Sequence, residues 1–389
     1  MAESRSALEL LRENLDAIDG KLLQLLAQRM GIVAEIAGYK REHAVRIRDL
    51  AREREVLSDR CAQADELGLP AGIIESIFRL VLLASRERQA SLRAELPTDV
   101  TPRTMAVVGG KGAMGQTLHS LFAELGHRVL VSDVDTELTP QAAAAEADVV
   151  IVSVPIRDTE SVVRQVGPHV RPDGLLMDVT SIKAGPMRAM LEATEAAVVG
   201  THPMFGPGAH SFQGQRVVVC PGRGEAWIEW VRQMLSARGL VLTEATPEEH
   251  DRMMAVVQVL NHFQTQVLGV ALSRYGVPIE RSLAFTSPAY LLEAYVAARH
   301  FAQSPELYGA IEMLNPQTPA VTSVFREVAA EIAGILERGD QERFNALFQE
   351  VRAFFGDFTE EALEQSRYLV DRLVELTAGR PGEGVQRGE

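Results

Sequence analysis

Three groups of residues in this chain have the types and spacing that chemistry requires. The first is Val107-Val-Gly-Gly-Lys-Gly-Ala-Met-Gly115, in which Gly110, Gly112 and Gly115 fit G-x-G-x-x-G and Met114 lies inside the pattern. A short apolar run precedes it, and Gln116 to Leu125, with helical periodicity, follows it. In such a loop the first glycine allows a tight turn, the second lets backbone approach a pyrophosphate, and the third lets helix pack closely on strand beneath an anion-binding helix N-terminus. A second apolar run, Arg128 to Ser132, ends in Asp133, about 20 residues past the loop, where an acid that binds ribose hydroxyls is expected. The reading is a dinucleotide site. Asp133 taken alone also fits ordinary turn chemistry.

The second group follows later apolar runs. Ser153-Val-Pro155 comes after one, Thr180-Ser181-Ile-Lys183 after the next, and Gly200-Thr-His202-Pro-Met-Phe-Gly-Pro-Gly208 after a third. In open α/β sheets ligands bind beyond the strand C-termini, so these segments are where substrate and cofactor should meet. His202 is the sharpest candidate: the prolines and glycines around it predict a rigid loop just past a strand end. An imidazole there, with an unperturbed pKa near ~6.5, suits proton transfer at neutral pH. A lone histidine is more often structural, and that alternative stands beside the general base.

The third group is cationic. Leu8, Leu11, Leu15, Ile18, Leu22, Leu25, Ile32 and Ile36 keep three-four spacing without proline to about Lys40, which predicts one long helix. At ~1.5 Å per residue it exceeds about 45 Å, too long for the two following helices to cover, so a partner subunit is the economical solution. Arg29 stands in the apolar series, and an unpaired inward arginine is costly. Lys40, eleven residues on, returns to within about 20° of the same face, whereas Arg12 is about 100° away and should serve a surface of a neighbouring chain. The plain alternative makes Arg29 a buried ion-pair partner and Lys40 a solvated side chain. Ser85 and Gln89 sit at i, i+4 on one face of the third helix, among apolar neighbours.

The elements that must position these groups are legible in outline. After the long helix come helices at about Asp49 to Ala64 and Ala71 to Glu95, with no strand pattern between them. Leu96 to Arg103, with two prolines, reads as a linker. Apolar runs at Met105–Val108, Val129–Val131, Val149–Val154, Leu175–Val179, Val198–Val199 and Val217–Val219 alternate with helical segments, which predicts a parallel, doubly wound sheet. The segment from Asp133 to Asp148 is too short for a complete further strand, so the usual strand order should be abbreviated there. From about Thr246 the pattern is helical almost to the end. His250 and His262, twelve residues apart, would lie about 120° apart on one helix and need not face one ligand. The expected domains are 1–95 helical, 96–103 linker, 104–245 Rossmann-type α/β, 246–378 helical, and a disordered tail 379–389.

Composition bounds the function. A chain of 389 residues with 46% hydrophobic residues suggests two or three soluble domains. A net charge of −14 argues against nucleic acid or an anionic membrane surface as a partner. Cys61 and Cys220 are far apart and neither lies in a metal-like spacing, so no metal is expected and they read as thiols of a reducing compartment. The N-terminus leads into a charged helix, and no apolar run approaches the ~20 residues of a spanning helix, so a cytoplasmic protein is expected.

With these residues in view, the chain from about 5 to 95 resembles the all-helical chorismate mutase family. The resemblance rests on the apolar heptads with Arg29, the Val33-to-Lys40 stretch, Asp49-x-x-Arg52-Glu53, and Ser85 with Gln89. It implies that Arg29, Lys40, Arg52 and, from a second subunit, Arg12 grip the carboxylates and ether oxygen of chorismate. Glu53 and Gln89 would complete the polar contacts, with Asp49 and Ser85 at the rim. A pericyclic rearrangement needs no acid, base or cofactor, and cations that select the reactive conformer and stabilise charge on the breaking ether bond suffice.

The glycine loop, Asp178-Val-Thr-Ser-Ile-Lys183 and the His202-Pro-Met-Phe-Gly-Pro run are similar to the prephenate dehydrogenase family. Together the halves resemble bifunctional chorismate mutase/prephenate dehydrogenases of tyrosine biosynthesis. That resemblance implies NAD as cofactor, chorismate and prephenate as substrates, a homodimer held partly by the C-terminal helices, and feedback by tyrosine. It implies that His202 is the base, that Ser181 and Lys183 support its geometry, that Arg299 contacts a prephenate carboxylate and that His262 lies near the substrate. One departure stands out: Leu291 occupies the position after the tyrosine of Ser287-Pro-Ala-Tyr290, where an arginine is expected. Two alternatives remain open, a dehydrogenase for arogenate or another hydroxy acid with an inactive mutase-like domain, and an NAD-sensing regulatory dimer.

Overall fold

The structure is a computed structural model that describes residues 7–43, 49–94, 101–209 and 211–377. The N-terminal hexapeptide, Arg48, Glu95, the Leu96–Val100 part of the linker and the expected disordered tail lie outside the described residues. The chain divides into two compact units, Met1–Thr246 and Pro247–Glu389.

The first unit begins with α1 (Ala7–Glu42), α2 (Leu50–Glu66) and α3 (Ala71–Ala94). Asp49 starts α2 by accepting the Arg52 amide at 3.0 Å, which satisfies one of the donors a helix N-terminus leaves open. Both α1 and α2 pack on α3, but the seam of α1 is largely uncovered. Leu8, Leu11, Leu15, Ile18, Leu22, Leu25, Ile32 and Ile36 are each between 42% and 61% exposed, while Val33 is buried. That is the pattern of a helix whose apolar stripe extends beyond what its own chain can bury.

The α/β part runs β1 (Thr104–Val108), α4 (Ala113–Glu124), β2 (Arg128–Ser132), α5 (Pro140–Glu146), β3 (Val149–Val152), α6 (Thr159–Val166), β4 (Leu175–Asp178), α7 (Ala184–Ala193), β5 (Ala197–Pro203), β6 (Arg216–Arg223), α8 (Glu225–Ala237) and β7 (Val241–Glu244). The sheet order is β2-β1-β3-β4-β5-β6-β7. From β2 the chain crosses back over β1 through the seven-residue α5, so nothing lies outside β2 and the abbreviated order follows from the short connection. β1 shows why the strands are apolar throughout: Met105 and Val107 enter one core with Leu118, Phe122 and Met234, and Ala106 and Val108 enter the other with Ala144, Val163 and Met190. A strand buried on both faces loses the polar alternation of a half-exposed one.

One expectation needs correction, and one strand was not foreseen. The sheet is not wholly parallel, because β5 and β6 pair antiparallel; among the described residues that join them there is no helix of the kind that a parallel crossover requires. The strand β7 carried no periodic signal, being four residues at the edge beside β6 with little burial.

The second unit contains α9 (Pro247–Met254), α10 (Asn261–Tyr275), α11 (Ile279–Leu283), α12 (Pro288–Phe301), α13 (Pro305–Leu314), α14 (Thr318–Arg338), α15 (Gln341–Phe355) and α16 (Phe358–Thr377). Ala255–Leu260, between α9 and α10, is π-helical. The wider turn changes the angular phase, so the uniform ~100° per residue that separated His250 from His262 does not hold across it. Leu291, at the departure from the family pattern, is buried in α12, where it contributes packing. No described helix is long and apolar enough to cross a membrane.

Candidate active sites

The glycine turn follows β1 directly. Gly109, which the motif reading passed over, is the residue that makes the tight turn: its φ is 82°, a region open to glycine at little cost. A Cβ on Gly109 would stand 2.3 Å from the Ser153 carbonyl oxygen. The ends of β1 and β3 therefore meet bare backbone to backbone. Gly110 packs over Val131, and Gly112 is the N-cap of α4. At Gly115 an added Cβ would lie 2.4 Å from the Gly109 carbonyl oxygen, so α4 can approach the turn only with no side chain there. Met114 packs partly buried against the core.

Asp133, at the end of β2, accepts the Lys111 amide at 2.9 Å and the Val134 amide at 2.8 Å. It stitches the glycine turn to β2 while keeping part of a carboxylate's roughly four acceptor positions for a ligand hydroxyl. The bare turn, the helix N-terminus above it and an acid at the end of β2 fit a dinucleotide, with its pyrophosphate at α4 and a ribose at Asp133.

Along the same sheet edge, the C-terminal ends of the parallel strands bring Ser153, Ser181 and His202 after or on β3, β4 and β5. Ser153 and Ser181 are half-buried. His202 is not in a loop: it is the sixth residue of β5, paired with Val218 and only 3% exposed. The prolines and glycines that suggested a loop begin one residue later. Its backbone position is set by the sheet, and the neighbouring Thr201 hydroxyl donates to the Asp178 carbonyl at 2.6 Å.

Lys183 is buried away from ligand, in a position from which it can only support the site. Lys183 and Asp178 are both fully buried and pair with each other, and the Thr180 amide donates to the same carboxylate at 3.1 Å. The stem of Lys183 passes across Gly200, where an added Cβ would lie 3.2 Å from its Cδ. Lys183 thus holds the turn that carries Ser181 from beneath. Asp178 and Thr180 belong to the segment that carries the resemblance but had no role assigned there, and Thr201 had none either; the only signal for such a role is a polar cluster at the end of an apolar run.

The helical part of this unit assembles a second site. Arg29 of α1 donates to the Ser85 hydroxyl of α3 at 2.5 Å. Burial and the nearby Arg60 guanidinium lower the pKa of Arg29. Ser85 and Gln89 are buried at 4% and 8% exposure, and the Gln89 Oε1 has no hydrogen-bond partner among the described residues. An orphaned buried acceptor beside a cation is what a polar ligand would satisfy. Glu53 is half-buried on α2 and Lys40 half-buried on α1. Arg52 is exposed and pairs with Glu55 at 2.7 Å, Arg12 is exposed, and Asp49 is engaged as the α2 cap.

In the second unit, Arg299 is exposed near the end of α12 and His262 lies in a cluster that sequence spacing could not reveal. The His262 ring meets Tyr308 edge-on at 4.7 Å, and the His300 ring stands 4.1 Å from the same tyrosine. Gln266 bridges His300 at 3.1 Å and Glu312 at 2.8 Å. Burial, with His300 close by, pushes the His262 pKa down to about 4, and burial raises that of Glu312. His250 is buried with Asp251 at 2.8 Å and faces its own partner.

Comparison with known proteins follows the same division of the chain. Residues 11–90 match chorismate mutase type II, residues 120–244 the nucleotide-binding domain of prephenate dehydrogenase, and residues 246–350 the prephenate dehydrogenase dimerization domain. A T-protein of Enterobacter agglomerans is 36% identical over 364 residues, spanning 92% of this chain and 96% of its own length. A T-protein of Haemophilus influenzae is 33% identical over 375 residues, spanning 96% of this chain and 99% of its own. The prephenate dehydrogenase of A. aeolicus, solved with hydroxyphenyl propionate and NAD+, superimposes with a TM-score of 0.54 at 16% identity, covering 66% of this chain and 98% of that one, a likeness of fold.

Proposed function

This chain belongs to the T-protein family, in which a chorismate mutase is fused to an NAD-dependent prephenate dehydrogenase, and on that premise we propose how its residues divide the work. It converts chorismate to prephenate and oxidatively decarboxylates prephenate to 4-hydroxyphenylpyruvate in tyrosine biosynthesis. One observation carries the assignment of sites: the unit Met1–Thr246 holds both Arg29 seated on buried Ser85 and a glycine turn on the sheet edge that bears His202.

In the mutase site Arg29, Lys40 and Arg52 hold the carboxylates and the ether oxygen of chorismate, and Gln89 and Glu53 contact its remaining polar atoms. Cations at the ether oxygen stabilise the charge that develops as the C–O bond breaks, and held carboxylates keep the substrate in its reactive conformer. Arg12 completes the site of a second subunit. The uncovered stripe of α1 supports a homodimer in which that helix is shared.

In the dehydrogenase site Gly110, Gly112, Met114, Gly115, Asp133 and Ser153 hold NAD, with Gly109 shaping the turn. Bound NAD supplies the acceptor for the hydride that leaves the ring carbon bearing the hydroxyl. His202 accepts a hydrogen bond from that hydroxyl and then its proton, and loss of CO₂ follows because it makes the ring aromatic. Ser181 orients the substrate, Lys183 supports Ser181 through Asp178, Arg299 anchors a carboxylate, and His262 stands near the substrate as a neutral imidazole. Tyrosine, which shares the 4-hydroxyphenyl ring of the product, is the proposed feedback ligand. A cytoplasmic location and the division into 1–95, 104–245 and 246–378 complete the reading.

The test supplies purified full-length protein with chorismate and NAD+ and follows NADH. Production from chorismate, and faster production from prephenate, is expected. NADH from prephenate but not from chorismate would remove the mutase assignment, and no NADH from either would remove the dehydrogenase assignment, the mutase then being read from chorismate consumption.

A further inference from the structure

The mutase site holds a cation that the three-helix pattern does not include. Arg86, on α3 beside Ser85, reaches across to α2 and donates to Glu53 Oε1 at 2.8 Å. The two side chains are only 19% and 18% exposed, against 63% and 66% for Arg52 and Glu55. This pair is thus shielded from solvent and salt in a way that a surface ion pair is not. On a helix, Gln89 neighbours both Ser85 at i, i+4 and Arg86 at i, i+3, so it stands between the hydroxyl that receives Arg29 and the guanidinium that reaches Glu53.

We propose that Arg86 is a positioning residue for the mutase reaction: it neutralises Glu53 and fixes its carboxylate so that this acid can accept a substrate hydroxyl beside two substrate carboxylates. The inference rests on the assignment of residues 11–90 as a working mutase. Its physical basis is a conflict within the site. The substrate is a dianion, and a bare, half-buried carboxylate facing it repels it. The same carboxylate is the natural acceptor for the one hydroxyl that distinguishes the substrate ring. Pairing with a guanidinium removes the net charge, and an arginine holds an oxygen in a defined direction better than a lysine would. Arg86 acts through Glu53, and the cations already assigned remain the groups that grip the substrate carboxylates.

The experiment is a double-mutant cycle on the full-length enzyme, with chorismate consumption read for the mutase and NADH from supplied prephenate read for the dehydrogenase. Arg86→Ala should lower mutase kcat/KM about tenfold or more, the worth of one charge-assisted hydrogen bond, with dehydrogenase turnover within about twofold of wild type. Arg86→Lys should restore part of the loss. In a Glu53→Gln background, Arg86→Ala should cost less than about threefold, because the residue it serves is already neutral. Wild-type-like mutase activity in Arg86→Ala overturns the proposal. So does an equal loss in both backgrounds, or a parallel loss of dehydrogenase activity and thermal stability that Arg86→Lys does not relieve. Absence of mutase activity in the unaltered enzyme would instead overturn the reading on which the proposal rests.

Discussion

Lys183 and Asp178 form an ion pair in which neither side chain has any solvent exposure. Removing one member leaves a buried charge without compensation, which costs about 3–5 kcal/mol. Lys183→Met should therefore destabilise the first unit by roughly that amount, and Asp178→Asn added to it should recover much of the loss. Both tryptophans of the chain, Trp227 and Trp230, lie in α8 against this sheet. Urea unfolding followed by tryptophan fluorescence reports the effect, and equal stability of Lys183→Met and wild type would mean that the pair contributes nothing.

His202→Asn keeps a polar side chain of similar size on β5 and removes the proton acceptor. Dehydrogenase turnover should fall by about 10²–10⁴-fold, the range of a general base, while mutase activity stays near wild type. Steady-state assays of both activities on one preparation decide it. Comparable loss of both would point to a damaged fold, and little loss of either to another base.

Arg29→Ala separates catalysis from assembly. If Arg29 holds the substrate as well as Ser85, mutase kcat/KM should drop by about 10²-fold or more. A helix used only for pairing would gain from losing a cation beside its seam. Mutase assays alongside sedimentation thus give opposite results under the two readings.

The pH dependence of the second unit follows from His262. Its folded pKa, about 4, lies below the ordinary histidine value because burial and His300 disfavour the charged ring. Between about 6.5 and about 4 the unfolded chain binds the proton and the folded one does not, so stability present above the unfolded value is lost as pH falls through this window. The contribution is on the order of 1–2 kcal/mol, less than the full shift because the ring is partly screened by solvent. Glu312, whose carboxyl burial pushes up, acts in the opposite sense, so the informative quantity is the difference between wild type and His262→Asn. Calorimetry from pH 7 to 4 should show a shallower acid loss in the variant, and parallel curves would contradict it.

Gly115→Ala tests the cofactor turn. The added methyl would press on the Gly109 carbonyl and lift α4 from the turn. KM for NAD should rise about tenfold or more, as expected for an overpacked contact, with mutase activity unchanged. An unaltered KM would place the pyrophosphate elsewhere.

The elements and the motifs were written in local periodicity. Three-four spacing from Leu8 to Ile36 marked the long helix, unbroken apolar runs marked strands buried on both faces, and glycine spacing marked the cofactor turn. In each case the signal lies within a few residues of the structure that it specifies, so side-chain size and backbone freedom alone carry it. The same local view misread His202, because prolines and glycines that begin one residue later suggested a loop where strand pairing with Val218 holds the histidine. It also passed over Gly109, whose φ of 82° is a property of the turn and not of the motif's spelling.

What the periodicity of a helix states is which face a residue occupies, never what that face meets. Arg29 was conspicuous as a cation in an apolar seam, but its seat on Ser85 joins positions 56 residues apart. Glu53 and Arg86 are separated by 33 residues, and His262 finds Tyr308 and Glu312 on a different helix. The burial of Lys183 over Gly200 likewise depends on two strands being adjacent in the sheet. The sequence by itself determined the inventory of chemistry and the elements that carry it, because those are set by short-range patterns. Only the tertiary structure decided which groups are paired, buried or neutral, because those properties arise where distant segments displace water from one another.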